Sequence, residues 1–502
     1  MSVSEVHTVG VTMKLNNATL LDLPARVVRP KYDRSKLTPG IVHIGLGNFH
    51  RAHQAWYLHR LMQTGEAFDW AIIGAGVRPN DAAQRQRLAE QDYLTTLIEL
   101  DPAATSAEIV GSMIDFAPVE VHNTALIKQM ADPAIRIVSL TVTESGYFID
   151  PTSGAFDANH ADIQHDIANP EVPRTAFGAM IAALRIRRTT GVGPFTCLSC
   201  DNLQGNGDTL RQTILSMTHL SDPSLASWID ENCTFPNSMV DCIAPATGPK
   251  ELDQVLTLGI DDAAPVTHEN FRQWVIEDQF CAGRPAWEKI GAQIVPDVHD
   301  HEVMKIRLLN GGHQIIANLG EILGIDTISE CMVHPLINAV FRKIAESEIA
   351  PHVKSVPGID PFAYVDLIQT RFANPRIVDT TRRVAFDGST RHPGFVIPSI
   401  KDGLNAGTPI VGLALVEAAW ARMCAGTREN GSSIAPNDPC WAELQAKALD
   451  AQLDPSEWIK QAQYYGDLAD DRRFADAFFR CLRLVWSDGI EAAAQAYLEE
   501  RL

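Results

Sequence analysis

The chain has 502 residues, too many for a single hydrophobic core, and its 45% hydrophobic and 21% charged residues are typical of a soluble globular protein. A net charge of -20 argues against nucleic acid and anionic membrane surfaces as partners, and no apolar run approaches the roughly 20 residues needed to cross a bilayer. Nine cysteines and an N-terminus without a secretory pattern lead us to expect a cytoplasmic protein with reduced thiols.

The first predicted structural unit is a strand that runs into a glycine turn. Residues 1–39 contain several prolines and are expected to form an extended lead-in. Apolar Ile41, Val42 and Ile44 predict a short buried strand that ends at a tight turn of Gly45 and Gly47, followed by a helix. A glycine turn before a helix N-terminus is where the pyrophosphate of a dinucleotide binds. His50 stands where the third glycine of G-x-G-x-x-G is usual, so the pattern is incomplete.

A second strand, predicted over Trp70–Val77, supports the same interpretation. In dinucleotide-binding folds, an acidic residue beyond this strand holds the adenosine ribose hydroxyls. Asp81 is the candidate for that role, although it could equally be an ordinary surface residue. The neighbouring Arg78 leaves open a 2′-phosphate on the ribose.

Strands and helices alternate as far as about residue 280, which is typical of a largely parallel, doubly wound α/β sheet. Small and polar residues follow the strands at Thr143, Glu144 and Asn202, where cofactors bind in open α/β sheets. The remaining predicted elements are two strands within 93–116, strands over Ile135–Val142, Phe195–Cys200 and Gln273–Phe280, and a helix around 174–190.

Helical patterns dominate from about residue 300, so we place a domain boundary near Gly291–Asp300. The predicted organisation is a lead-in over 1–39, a Rossmann-type dinucleotide-binding domain over 40–295 and a mostly helical domain over 296–502. The helices are predicted over 302–323, 330–350, 361–373, 408–425, 438–450, 470–483 and 488–501.

The helix that opens near His301 carries polar residues in an apolar frame. At roughly 100° per residue, His313 projects about 80° and Asn310 about 140° from Lys305, so the three are expected to line one broad face of the helix. A lysine beside apolar neighbours can serve as a general base, and an asparagine amide can donate to a developing oxyanion. Glu302 lies three residues before Lys305 and could exchange protons with it. The alternative is a core-lining helix with solvated charges at its start.

No metal site is predicted. The Cys197 and Cys200 pair has C-x-x-C spacing, but it falls inside an apolar strand and has no second pair at zinc-ribbon spacing. The run His299–Glu302 is interpreted as charge at a helix start.

Several motifs together resemble the polyol-specific long-chain dehydrogenases, the mannitol 2-dehydrogenase family. The resemblance covers roughly residues 13–500 and implies a Rossmann-type N-terminal domain, a helical C-terminal domain, NAD as the cofactor and no metal. The motifs are GLGNFHRAHQ (45–54), TVTESGY (141–147), SCDNLQGNG (199–207), FPNSMVD (235–241), WVIEDQF (274–280), MKIRLLNGGH (304–313) and DGSTRHP (387–393).

The resemblance also implies roles for individual residues. Lys305 would be the general base, with Glu302 passing protons between it and solvent, and Asn202 and Asn310 would form the oxyanion hole. His313 would bind and orient the substrate. The implied substrate-side residues are Asp241, Arg383 and Arg391, and the implied cofactor-binding residues are Gly45, Gly47, Asn48, Phe49, Asp81, Thr143 and Glu144.

Two departures from the family pattern bear on the substrate. Gly394 stands where relatives often have lysine, and Gly311 and Gly312 stand where another small residue is frequent. The expected activity is interconversion of a mannitol-like sugar alcohol and its ketose by a monomer. The alternatives are a hexuronate reductase, with Arg383 or Arg391 pairing a substrate carboxylate, and a non-catalytic dinucleotide sensor.

Overall fold

The computed structural model describes residues 12–149 and 155–502. The chain forms two compact units, one ending at His299 and the other spanning Asp300–Leu502. The strands of the first unit are β1 (Met13–Lys14), β2 (Val27–Val28), β3 (Pro39–Ile44), β4 (Ala71–Ala75), β5 (Thr95–Leu100), β6 (Thr105–Val110), β7 (Met113–Phe116), β8 (Ile137–Leu140), β9 (Thr196–Ser199), β10 (Ser238–Asp241), β11 (Ile260–Asp261), β12 (Val266–His268), β13 (Gln273–Glu277) and β14 (Gln293–Val295).

The α-helices of the first unit lie between these strands. They are α1 (Asn48–Ala52), α2 (Gln54–Gln63), α3 (Asp81–Ala89), α4 (Thr124–Ala131), α5 (Ala161–Ala168), α6 (Ala176–Thr190), α7 (Asn206–Ser221), α8 (Pro223–Asn232) and α9 (Pro249–Thr257), with 3-10 turns at Arg34–Lys36, Glu144–Tyr147 and Trp287–Ile290.

A five-stranded parallel sheet in the order β7-β4-β3-β8-β9 forms the centre of the first unit. Its inner strands are mainly apolar with almost every residue buried, as expected for a parallel sheet covered on both faces, and their polar residues His43 and Ser139 bond each other at 2.8 Å. Val42 lies between Ile73 on one side and Val138 on the other. The chain builds outward from β3 through β4 to β7, then returns through β8 to β9. The topological switch point therefore lies between β3 and β8.

Three smaller sheets complete the first unit. Strands β12, β5, β6 and β2 form one, β10, β13 and β14 another, and β1 pairs with β11. The segment 93–116 contains three strands instead of the two expected, because β7 leaves its antiparallel neighbours and joins the central sheet beside β4.

The second unit consists of α-helices interrupted by π-helical segments. The α-helices are α10 (His299–Met304), α11 (Gly311–Leu323), α12 (Ile328–Val333), α13 (Pro335–Ile344), α14 (Pro361–Phe372), α15 (Thr381–Val384), α16 (Gly388–Arg391), α17 (Ile397–Ala406), α18 (Val411–Cys424), α19 (Trp441–Leu453), α20 (Ser456–Ile459), α21 (Ala462–Tyr465), α22 (Arg472–Asp488) and α23 (Ile490–Leu498); the π segments are Lys305–Asn310, Ala345–Ile349 and His392–Val396, and 3-10 turns occupy Ala350–His352 and Gly466–Asp470.

Helix α18 runs through the core of the second unit, and every residue from Gly412 to Cys424 is buried. Its first turn is held by Glu348, whose carboxylate accepts the N–H groups of Gly412 and Leu413 at 2.8 and 2.9 Å. The hydroxyl of Tyr497 donates to the same carboxylate at 2.9 Å, which fastens α23 to this point.

The expected fold class is confirmed: a Rossmann-type doubly wound sheet is followed by a mostly helical unit. One helix expectation is wrong, because the helix predicted over 330–350 divides into α12, α13 and a π segment. The break falls at His334, where Pro335 cannot continue the preceding helix and becomes the first residue of the next one. Among the residues described, none of the helices has the length and apolar character that crossing a bilayer requires.

Candidate functional site

The turn that follows β3 can be formed only by glycine at position 45. Gly45 has a φ of +88°, and a Cβ there would overlap the carbonyl oxygen of Thr141. The N–H group of Gly45 donates to the carbonyl oxygen of Ala75 at 2.9 Å, and the Thr141 hydroxyl donates to the Gly45 carbonyl at 2.7 Å. The turn is thus held between the ends of β4 and β8, at the switch point where α/β sheets bind nucleotides.

The predicted residues Gly47, Asn48 and Phe49 lie at the start of α1. The Asn48 amide donates to the carbonyl oxygen of Pro245 at 2.7 Å, and the Phe49 ring stacks on His53 with centroids 4.8 Å apart. Because both side chains are engaged by the protein, the backbone of this first turn is the part best suited to a pyrophosphate.

His50 replaces the third glycine of the usual pattern by stacking flat against the strand. Its ring lies 3.5 Å from that of His43, with an interplanar angle of 19°, and its Nε2 is 3.1 Å from Gln54 Oε1. Burial lowers the pKa of His43 to about 3, so that ring is neutral and can lie against a second imidazole without charge repulsion. A planar side chain therefore preserves the close helix–strand packing that glycine usually provides.

Asp81 lies at the first position of α3, beyond the end of β4. Its carboxylate accepts the backbone N–H of Arg78 at 2.9 Å. The carboxylate also packs so closely over Gly76 that a Cβ on that glycine would overlap it. The acidic group is therefore fixed at the carboxyl end of the strand next to the glycine turn, where a ribose would be bound.

The loop after β8 is held by a buried carboxylate that the sequence reasoning did not select. Asp201 accepts the N–H groups of Val142 and Thr143 at 3.1 and 2.8 Å and the hydroxyl of Tyr147 at 2.7 Å. Thr143 adopts a φ of +68°, an uncommon conformation for threonine, which these bonds help to impose. The side chain of Glu144 lies outside the part of the chain that the structure describes.

Asn202 and Asp241 lie in different settings within the first unit. Asn202 is exposed on the turn that follows β9, and Asp241 is buried at the end of β10. Asn206 joins these two regions: its amide donates to the carbonyl oxygens of Asp201 and Ser238 at 3.0 and 2.8 Å. The polar ends of β9 and β10 thus form one fixed region.

In the second unit, Lys305 and Asn310 are the first and last residues of a π segment that joins α10 to α11. The N–H group of Gly311 donates to the carbonyl oxygen of Ile306, the i→i+5 bond of a π turn. Residues five apart are separated by about 140° in an α-helix, whereas an i→i+5 turn places them nearly one above the other. The π turn therefore brings Lys305 and Asn310 closer together around the helix than α geometry would, and both lie on one face, as the sequence predicted.

The polar groups on this face are well shielded from solvent. Glu302 and Lys305 are 5% and 7% exposed. The Oδ1 atom of Asn310 is buried and has no hydrogen-bond partner among the described residues. An amide has a donor end and an acceptor end, so Asn310 can offer this site either one.

His313 lies one turn further along α11, among charged groups. Its ring stacks on Phe372 with centroids 4.1 Å apart, and burial lowers its pKa to about 4, so the ring is neutral near pH 7. Arg383 and Arg391 both act on it electrostatically, as do Asp379 and the buried Arg371. The predicted Arg383 and Arg391 therefore lie within electrostatic range of His313, as do Asp379 and Arg371, which sequence reasoning missed.

The two arginines are already bonded within the protein. Arg383 forms a forked ion pair with Asp379, at 2.6 and 2.5 Å, and Arg391 donates to the carbonyl oxygen of Val384 at 2.6 Å. The signal for Asp379 was available in the sequence, since it lies four residues before Arg383 on the approach to α15.

No group of three or more His, Cys, Asp or Glu side chains is arranged to hold a metal ion within residues 12–149 and 155–502. All nine cysteines are free thiols, and Cys197 and Cys200 are both buried.

A glycine turn at the switch point of a parallel sheet is typical of dinucleotide-binding enzymes, and the second unit carries a shielded lysine and amide of the kinds that can move a proton and stabilise an oxyanion. The family model described as the mannitol dehydrogenase Rossmann domain matches residues 39–289, and the mannitol dehydrogenase C-terminal domain matches residues 297–486. The chain belongs to the mannitol dehydrogenase family, which confirms the resemblance found in its motifs.

Similar proteins cover nearly the whole chain. Mannitol 2-dehydrogenase from Cereibacter sphaeroides is 54% identical over 472 residues, which are 94% of this chain and 99% of that protein. The Pseudomonas fluorescens mannitol 2-dehydrogenase ternary complex with NAD and D-mannitol has a TM-score of 0.90 at 41% identity, covering 97% of this chain and 100% of that one. A D-sorbitol dehydrogenase in substrate-free form has a TM-score of 0.87 at 34% identity, covering 96% and 100%.

Proposed function

We propose that this protein is an NAD-dependent polyol dehydrogenase that interconverts a secondary alcohol of a mannitol-like sugar alcohol and the corresponding ketose. Family membership supports the reaction class, and the similar Pseudomonas fluorescens enzyme was solved with NAD and D-mannitol. The observation that carries the proposal is the π segment, which puts Lys305 and Asn310 on one shielded face.

The glycine turn is suited to the cofactor. Gly45 cannot carry a side chain, and a Cβ on Gly47 would have only the Gly45 carbonyl oxygen within 4 Å, so the backbone can approach a pyrophosphate closely. Asp81 at the end of β4 suits the hydroxyls of an unphosphorylated ribose. When bound, NAD supplies the hydride acceptor.

Lys305 acts as the general base in this mechanism. Its neutral amine accepts the hydroxyl proton as the carbinol hydrogen leaves as hydride, and Glu302 passes that proton towards solvent. Asn310 donates to the oxygen as alkoxide character develops, an interaction whose removal typically costs on the order of 100–1000-fold in rate. His313, being neutral, orients a substrate hydroxyl by hydrogen bonding. The roles of Asn202 in the oxyanion hole and of Asp241 beside the substrate stay predictions.

The arginine contacts favour a neutral polyol over a hexuronate. Asp379 occupies the Nε/Nη2 edge of Arg383 and already balances its charge, so a substrate carboxylate would have to share this arginine with a carboxylate of the protein. Arg391 is likewise directed to the Val384 carbonyl. Both are therefore better suited to ordering the site around His313 and offering single hydrogen bonds to hydroxyl groups.

A substrate screen tests the proposal. The enzyme is incubated with NAD and, separately, mannitol, arabinitol, sorbitol, altritol and galactitol, and NADH formation is followed. The reverse reaction is run with NADH and either fructose or fructuronate. We expect oxidation of at least one of the polyols and reduction of fructose in preference to fructuronate.

Two results would contradict the proposal. Preferential reduction of fructuronate would identify a hexuronate reductase, with an arginine exchanging its protein partner for the substrate. Tight NADH binding without turnover of any substrate would favour the non-catalytic sensor.

A further inference from the structure

The π register of Lys305–Asn310 needs an explanation, because π turns are rare, form mostly as single interruptions of α-helices and are frequent at functional sites. The helix on the C-terminal side cannot easily rotate, since α11 is buried along most of its length. If the π segment relaxed to α geometry, the short helix α10 would therefore rotate about its axis, and Lys305 would rotate with it. A contact that resists this rotation is needed to keep the π register.

Arg307 is the charged side chain in the middle of the segment. Its Nη2 lies 3.2 Å from Asp402 Oδ2 on α17, and the two side chains are 16% and 41% exposed. Desolvation lowers the pKa of Arg307, and the Asp402 carboxylate partly offsets that effect. A guanidinium shielded to this degree depends on its partner more than a surface arginine does.

A second contact lies one turn further along. A Cβ on Gly311 would be only 3.2 Å from the carbonyl oxygen of Phe395, so the backbones approach closely there. Phe395 belongs to the π segment that runs directly into α17. Arg307 and Gly311 are four residues apart on one helix, and Phe395 and Asp402 are seven apart on the other. Each pair therefore lies along one helix face, and the two helices meet at two successive points.

We propose that the Arg307–Asp402 ion pair is a positioning contact that holds the π register and so keeps Lys305 and Asn310 on one face. Arg307 and Asp402 act through the segment and not on the substrate. The inference rests on the proposed role of Lys305 and Asn310 in polyol oxidation. Without the pair, α10 turns towards α geometry and the lysine leaves the face of the asparagine.

The kinetic test uses the full-length enzyme with NAD and D-mannitol, comparing wild type with Asp402→Asn. A small displacement of a catalytic group can cost about 100-fold in rate, so we expect kcat to fall about 10- to 100-fold while KM for NAD stays unchanged. With mannitol deuterated at C2 and C5, the isotope effect on kcat should rise, because hydride transfer becomes more rate-limiting. Asp402→Glu should restore much of the rate.

The matched control is Asp467→Asn. Asp467 pairs with Lys401, the residue before Asp402 on α17, at 2.9 Å and in an exposed position. Its loss should leave kcat and the isotope effect unchanged. A variant Asp402→Asn that is merely less heat-stable, with unaltered kcat and isotope effect, would overturn the proposal.

A double-mutant cycle and an activity-independent measurement complete the test. If the pair acts by placing Lys305 beside Asn310, Asp402→Asn should lower kcat by a smaller factor in the Asn310→Ala variant than in wild type. If the double variant instead loses the product of the two single-variant factors, the two sites act independently and the proposal is contradicted. Backbone amides 305–311 should exchange hydrogen faster in Asp402→Asn than in wild type. Arg307→Lys, which keeps the charge but not the planar guanidinium, serves in the same measurements if Asp402→Asn does not fold.

The two proposals fail in different ways. If the wild-type enzyme turns over no polyol, the proposed function fails, yet hydrogen exchange still decides whether the pair holds the segment. Unchanged exchange in an active enzyme would reject the positioning role alone.

Discussion

At the scale of single residues, the proposed mechanism depends on Lys305, which is shielded at the start of a π turn. The side chain is 7% exposed, with Glu302 equally buried three residues earlier. A base that is screened from bulk water and has a nearby carboxylate can take a proton from the substrate and pass it on. A purely structural lysine would have no need of Asn310 on the same face.

Removing Lys305 tests this role directly. Lys305→Ala should lose several orders of magnitude in kcat for D-mannitol oxidation, because the amine that accepts the hydroxyl proton is gone. NADH binding, measured by its fluorescence, should survive. Lys354→Ala is the matched control, since Lys354 is exposed in the same unit and pairs with Asp300 at 3.1 Å. If Lys305→Ala retains more than roughly a tenth of the wild-type kcat, the lost transition-state stabilisation is below about 1.4 kcal/mol, and another residue must accept the proton.

Asp81 is expected to set the cofactor preference. Its carboxylate at the end of β4 would repel a 2′-phosphate and bond ribose hydroxyls, so Asp81→Ala should narrow the ratio of kcat/KM for NAD to that for NADP. The substitution also removes the bond to the Arg78 N–H, so thermal stability is measured in parallel. Asp115→Ala, on neighbouring β7, controls for a general loss of negative charge. If the ratio of kcat/KM for NAD to that for NADP is unchanged, recognition of the ribose would instead be assigned to the preceding Asn80 or to Arg78.

At the scale of elements, the turn after β3 places the strictest requirement on the sequence, because position 45 must be glycine. Gly45→Ala would meet both an unfavourable φ of +88° and overlap with the Thr141 carbonyl, which belongs to rigid backbone. We expect the variant to lose NADH binding and to unfold at lower temperature. Gly193→Ala is the control, because nothing lies within 4 Å of a Cβ there. Normal NADH affinity in Gly45→Ala would mean that the turn does not hold the cofactor.

The sequence predicted the structure best where the identity of neighbouring residues alone determines it. The run Ile41–Ile44 followed by Gly45 predicted a buried strand and a tight turn, and β3 confirms it. The π segment could not be predicted, because apolar residues on either side keep a helical spacing and one inserted residue hardly alters it. Asp201 was missed for a different reason: its bonds reach a loop about 60 residues away, which only the folded sheet brings near.

At the scale of the whole molecule, the expected independence from metal remains to be tested. In the proposed mechanism, Lys305 removes the hydroxyl proton and Asn310 stabilises the developing alkoxide, a task that a Lewis-acid metal performs in other enzymes. The described residues include no group of side chains arranged as metal ligands. Prolonged dialysis against a strong chelator should leave polyol oxidation unchanged, and added Zn²⁺ should not increase it. Activity that disappears on dialysis and returns with Zn²⁺ would reject the lysine mechanism.

Buried histidines should also make the molecule sensitive to mild acid. Burial lowers the pKa of His43 and His268 to about 3 and that of His313 to about 4. In the unfolded chain each would titrate near 6.5. Between pH 6.5 and about 4 the unfolded state therefore binds protons that the folded state does not. The stability of the folded state is consequently unaffected by these histidines above pH 6.5 and is lowered progressively as the pH falls through that window.

The expected result is a melting temperature that is flat from pH 8.5 to 7.5 and falls steadily between pH 6.5 and 5, before most carboxylates titrate. Each histidine contributes on the order of 1 kcal/mol of lost stability at pH 5.5. The raised pKa of buried Glu348 has the opposite effect on stability: the folded state holds this proton more tightly, so its contribution grows as the pH falls. That contribution changes nearer the pH range in which carboxylates titrate. His268→Asn should make the acid slope shallower, whereas replacing the exposed His122 should not change it. If differential scanning calorimetry at a fixed scan rate shows no fall above pH 5, these rings are protonated in the fold and the neutral state assigned to His313 is wrong as well.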